Sequence, residues 1–144
     1  MRSVKLEPAD LQDISLGAVF LATGGGGDPY VPMLVAKQAL ERHGPVSLID
    51  PEALDDEAFV VTIGAVGAPT ASLELLPSVD DASRALEAFE AHVGRRVDAL
   101  VSFEIGGGNS LIPMMAGVAR GLPVIDGDGM GRALPEAQMM TYPI

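Results

Sequence analysis

Apolar positions recur with helical spacing at Leu11, Ile14, Ala18 and Leu21, which predicts a first helix from Pro8 to about Ala22. Its last turns, Gly17–Ala22, also read as a short strand. A second helix is expected from Pro29 to His43, with Val31, Leu34, Val35 and Ala39 on its buried face. Asp28 suits its N-cap and Pro29 its first position, while Gly44 and Pro45 end it. Pro32 offers a later start. Val46–Ile49 reads as a strand stopped by Asp50 and Pro51, and residues 51–58 as a polar turn or a single helical turn. Phe59–Val66 is β-branched and almost continuously apolar, the pattern of a strand buried on both faces of a parallel sheet. Gly67–Thr70 breaks it. The clearest helix runs from Ser78 to Val93, with Val79, Ala82, Leu86, Phe89 and Val93 at 3–4 spacing, a Ser78/Asp81 capping box and Gly94 at its end. Ala99–Phe103 is the next strand, and a helix to Arg120 follows, ended by Gly121 and Pro123. Val124 and Ile125 form a fourth short strand, and the tail from Asp126 carries no firm assignment. This alternation predicts an α/β layered fold, a mostly parallel β-sheet of about four or more strands flanked by helices.

Length and composition narrow the function classes. The 144 residues suit a single domain. Without cysteine there is no disulfide framework, thiolate metal site or cysteine nucleophile. The formal net charge of −11 repels phosphate backbones and anionic membranes, so a small-molecule substrate is expected rather than nucleic acid or lipid. No apolar run approaches the ~18 residues of a membrane span, and the first residues lack a signal-peptide core. A cytoplasmic location follows as the simplest expectation. Aromatic residues are only 4% of the chain, so the core is built from Val, Leu, Ile, Ala and Met, and no aromatic stacking platform is expected.

Three segments carry candidate chemistry. The first is Gly24, Gly25, Gly26 and Gly27 with Asp28, placed before a helix. Glycines let backbone approach a ligand closely, and a helix start offers N–H groups to an anion or a carbonyl oxygen. The spacing matches neither dinucleotide nor P-loop fingerprints, and no lysine follows. A tight connection with an Asp cap is the plainer reading. The second segment has strand, glycine loop and helix order, with Glu104, Gly106, Gly107, Gly108, Asn109 and Ser110 at the carboxyl end of a strand, where open α/β sheets place ligands. Glu104 there suits a general acid or base. Its plainer role is pairing with an arginine, and that of Asn109 is capping. The third is Asp126 and Asp128 with Arg132, followed by Glu136. Two carboxylates suit a hard cation weakly, the EF-hand pattern fails at Met130 and Ala137, and the metal is left unknown. His43 and His92 lie near helix ends, away from the glycine loops, so a Ser–His–Asp triad is not expected. No cofactor is indicated either way.

Together these segments resemble the amino-terminal domain of the S-methyl-thiohydantoin desulfurase-like family. The resemblance rests on residues 23–30, on Glu104–Gly107 with Asn109 and Ser110, and on Asp126–Ala133 with Pro135, Glu136 and Gln138. Gly44–Val46, Leu48–Pro51 and Gly67–Thr70 also look like it, and the similarity runs from about residue 8 to the end. It implies hydrolysis of a C–S or C–N bond at the amide- or amidine-like carbon of a five-membered ring. It also implies an α/β domain followed by a second, C-terminal domain, which would complete the site. The leading expectation is therefore a hydrolase domain. Glu104, Asp128 and Asp126 are its candidate catalytic residues, the glycines its amide donors, and Arg132 and Asn109 its ring-orienting groups. The alternative is a non-catalytic module that binds a nucleotide or anion, or that docks a subunit, as in a homo-oligomer.

Overall fold

The structure is a computed structural model and describes residues 3–67, 69–75 and 78–142. Its elements are β1 (Ser3–Leu6), α1 (Leu11–Ala22), α2 (Tyr30–His43), β2 (Val46–Ile49), β3 (Val60–Ile63), α3 (Pro69–Glu74), α4 (Val79–Val93), β4 (Ala99–Ser102), α5 (Ile112–Arg120) and β5 (Val124–Asp128). Single 3-10 turns lie at Pro51–Ala53, Gly107–Ser110 and Ala137–Met139. The strands form one sheet in the order β1-β2-β5-β4-β3. β1 is antiparallel to β2, and the other neighbours are parallel. The fold is therefore α/β with a mixed, mostly parallel sheet.

Chain direction explains which face carries the helices. The steps β3–α4–β4 and β4–α5–β5 move one strand at a time toward β2, and right-handed crossovers place both helices on the same face. There Leu86, Met114, Met115 and Ala116 pack with Leu100 and Val124, together with Leu11, Leu40 and Leu111. Each such leucine, fully buried, contributes about 1.5–3 kcal/mol relative to exposure, so the core lies on this side. The β2–β3 link returns across β5 and β4 in the opposite sense, so the same handedness sends it over the other face. No helix fits in so short a link. Leu54 and Tyr142 pack there instead, on Ala99, Val101 and Ile125. That second face is thinly covered.

Local chemistry sets the ends of the elements. Ser78 accepts from the Asp80 N–H and Asp81 from the Ser78 N–H, and Gly94 closes α4 with φ 75°. Glu90 fixes α4 to α5 and to the approach to β4. It accepts from the Val97 N–H at 2.9 Å and from Arg120 at 2.7 Å. The Val97 bond foremost, with Arg120 and Arg96 adding to it, holds this carboxyl below its ordinary 4.5 against the opposing effect of burial.

Several boundaries differ from expectation. β1 lacked a sequence signal: it is four residues long, and its position depends on pairing with β2. α1 begins at Leu11 and stays helical through Ala22. α2 begins at Tyr30 and holds Pro32 in its first turn, where a missing N–H has no intrahelical partner to lose. Asp28 still serves the helix start, accepting from the Tyr30 N–H at 2.9 Å. The break after the third strand contains α3; Ala68, within that break, lies outside the described residues. β5 extends through Gly127 to Asp128. β3 is shorter than Phe59–Val66 and is not buried on both faces. It sits at the sheet edge with β4 as its partner, and its residues are half-buried or exposed. Among the described residues no helix is long and apolar enough to cross a membrane.

Candidate functional site

Because β3, β4 and β5 are parallel, their carboxyl ends at Ile63, Ser102 and Asp128 share one edge of the sheet. The loops that leave this edge meet each other and the tetraglycine loop between α1 and α2. The Gly108 N–H donates to the Gly26 carbonyl at 2.9 Å. A Cβ on Gly26 would lie 2.6 Å from the carbonyl carbon of Gly106, and one on Gly107 would strike the carbonyls of Gly26 and Gly27. Added Cβ atoms on Gly25 and Gly106 would each fall 2.8 Å from the Ala133 methyl. These glycines are required because three backbones share a space that has no room for side chains. Gly24 and Gly27 differ: both have positive φ, yet open space surrounds the position a Cβ would take. Of the four glycines, these two leave room for a ligand.

Glu104 is 3% exposed and joins two of the loops. One carboxylate oxygen accepts from Asn109 Nδ2 at 2.6 Å, the other from the Leu134 N–H at 2.5 Å. Asn109, also buried, pairs with a peptide group beyond β3: its Oδ1 accepts from the Ala65 N–H at 2.7 Å and its Nδ2 donates to the Ala65 carbonyl at 3.2 Å. The chain Leu134–Glu104–Asn109–Ala65 therefore ties the segments after all three strands. Ser110 turns inward, its hydroxyl donating to the Gly107 carbonyl at 2.8 Å. Asp128 organises the third loop. Its Oδ2 accepts from the N–H groups of Ile105 at 2.9 Å, Met130 at 3.2 Å and Gly131 at 2.7 Å. Arg132 reaches the first loop, donating to Thr23 Oγ1 at 3.1 Å.

A groove of about 900 Å³ opens beside this edge, running from the thinly covered face around β3 to α4, and is lined in part by Gly64, Val101, Ile125, Gly127, Asp128 and Tyr142. Asp128 reaches it. Tyr142 donates to the Ser102 carbonyl at 2.9 Å, and burial, with the negative charge of Asp128 adding to it, pushes its phenol up to about 12. The remaining candidates stand apart. Asp126 is exposed on β5, Glu136 bonds the nearby Gln138, and Asp28 is engaged with α2. Among the described residues no three or more carboxylates and histidines gather to hold a metal ion. Sequence reasoning missed Ala65, Ala133, Leu134 and Tyr142. The first three contribute mainly through backbone atoms or a single methyl, which leave no chemical signature in a sequence.

Residues 9–144 match the family model described as S-Me-THD-like, N-terminal domain. The fold also matches the X-ray crystal structure of a protein from Chromobacterium violaceum, at 27% identity and a TM-score of 0.74. That match covers 96% of this chain and 38% of the other, so the chain spans well under half the length of that relative. No curated protein matches. With the family model spanning nearly the whole sequence, the chain belongs to the S-Me-THD-like family and carries its N-terminal domain.

Proposed function

We propose that this domain supplies part of a hydrolase site for a five-membered cyclic amide or thiohydantoin-like ring, a site that a C-terminal domain completes. The observation that carries this reading is the convergence of the three candidate loops at the carboxyl edge of the sheet, through Gly108 to Gly26, Leu134 to Glu104 and Arg132 to Thr23. Such an edge is the usual ligand position in an open α/β sheet. Water adds to the amide- or amidine-like ring carbon, and Asp128 takes its proton. Oδ1 is the suitable atom, because Oδ2 accepts three backbone N–H groups. Amides of the open glycines Gly24 and Gly27 receive the developing oxyanion. The departing nitrogen or sulfur then takes the proton back. Glu104 acts as a positioning residue through Asn109, and Arg132 orients the ring. The test is turnover of a methylthio-hydantoin by the longest natural chain carrying this domain. Asp128→Asn abolishes turnover and Glu104→Gln lowers it, with both variants folded by circular dichroism; unchanged rates in both remove these roles.

One observation favours a second reading, a non-catalytic binding or docking module: both central carboxylates already accept hydrogen bonds that hold the loops. A thermal shift with ATP or phosphate but none with a methylthio-hydantoin selects it.

A further inference from the structure

The two ends of the sheet are treated differently. Exposed edge strands are templates for further pairing, and proteins defend them with charge, proline or bulges. β1 is defended, with exposed Lys5 at its centre. β3 is not. It lies within an uncharged run from Ala58 to Leu73, bounded by Glu57 and Glu74, in a chain of net charge −11. Its composition is that of an interior strand, yet among the described residues it pairs with β4 alone. The groove beside the site wraps this edge, with Leu86 and Phe89 of α4 on one side and Val101 and Ile125 on the other. Phe89 is 39% exposed there.

We propose that two copies of this chain join through β3, antiparallel about a two-fold axis at Thr62, so that the sheet continues from one copy into the other. An antiparallel ladder is self-complementary, as a two-fold interface must be. This register sets Thr62 against its own copy, Val60 against Gly64 and, beyond the ladder, Glu57 against Gly67, so the acidic residues 55–57 of one copy face uncharged residues of the other. Asn109 already occupies both polar groups of the Ala65 peptide, which confines the new ladder to residues before it. Elsewhere the acidic surface opposes close approach of copies; along this edge it does not. Alternate side chains of the added strand enter the two arms of the groove, as in β-strand addition generally.

Light scattering measures the mass. A dimer of twice the 14.9 kDa chain is expected at micromolar to near-millimolar concentration, and Thr62→Lys, at an exposed position of β3, returns it to the single-chain mass with an unchanged circular dichroism spectrum. Hydrogen exchange of the wild-type chain gives a reading that needs no variant: amides within Val60–Ile63 slow by tenfold or more as concentration carries the chain from monomer to dimer. A wild-type monomer throughout that range overturns the proposal. So does a dimer that survives Thr62→Lys, above all one that dissociates with Phe20→Lys on the exposed apolar face of α1.

Discussion

The glycines that weld the site loops together set a measurable cost for substitution at Gly26. Gly26→Ala adds one methyl where φ is 73° and where the new Cβ lies 2.6 Å from the Gly106 carbonyl carbon, against an ordinary contact of 3.4–4 Å. Two costs add. The left-handed conformation costs about 1–2 kcal/mol for a residue with a Cβ. Relieving the clash costs about 1–3 kcal/mol more, because the obstacle is backbone held by the Gly108 to Gly26 hydrogen bond, not the end of a flexible side chain. The sum, about 2–5 kcal/mol, lowers Tm by roughly 6–15 °C in a domain of this size.

Gly27→Ala is the internal control. Its φ of 76° imposes the same backbone strain, but nothing stands within 4 Å of the added atom. Urea unfolding of the two variants isolates the packing cost, expected at about 1–3 kcal/mol. Gly107→Ala presses on the same contact from the other side, so the Gly26/Gly107 double variant falls short of the sum of the single ones. Equal midpoints for Gly26→Ala and Gly27→Ala, or full additivity in the double variant, would refute the account of these glycines as mutual packing surfaces.

Glu104→Gln leaves one of two buried donors, Asn109 Nδ2 or the Leu134 N–H, facing an amide nitrogen; the expected loss is about 1–3 kcal/mol in urea unfolding, with faster amide exchange at Leu134, and a loss under about 0.5 kcal/mol counts against the tether. Tyr142 titrates at about 12 rather than 10.0, so folding favours its neutral form. The stability this contributes is complete below pH 10 and disappears as pH rises from 10 to about 12, so the wild-type urea midpoint should fall relative to Tyr142→Phe across that window.

How much of this was legible in the sequence depends on the range of the interaction. Signals carried by neighbours in the chain were plain. The Ser78/Asp81 capping box, the Gly94 and Gly121 helix ends and the 3–4 spacing of α4 are local, and each appears in place. Alternation of strands with helices was enough for the α/β class. The gathering of residues 104–110 and 128–134 was legible too, since loops at the carboxyl ends of parallel strands share an edge; that residues 24–27, between two helices, join them was expected from the family resemblance and not from strand direction. Strand order was not legible. Whether Phe59–Val66 lies inside the sheet or at its margin depends on how many neighbours it finds, and those neighbours are more than thirty residues away in the chain. β1 was invisible for the same reason.

The glycines show where a sequence stops being specific. A missing Cβ has two uses: it lets a ligand approach the backbone, or it lets another strand of backbone do so. Composition cannot separate these, and the tetraglycine run contains both. Gly25 and Gly26 are filled by Ala133 and Gly106, whereas Gly24 and Gly27 face open space. The same division runs through the carboxylates. Glu104, sealed at 3% exposure with both oxygens bonded, holds the loops in register; Asp128 keeps one oxygen outside its backbone bonds and borders the groove. Under the proposed function, a site assembled this way separates its scaffold from its reactive groups within single motifs. Neighbouring positions of one glycine run should therefore respond differently to substitution: Gly26→Ala adds a packing cost to the backbone strain that both share, and Gly27→Ala, with open space around it, adds instead a loss in ligand binding.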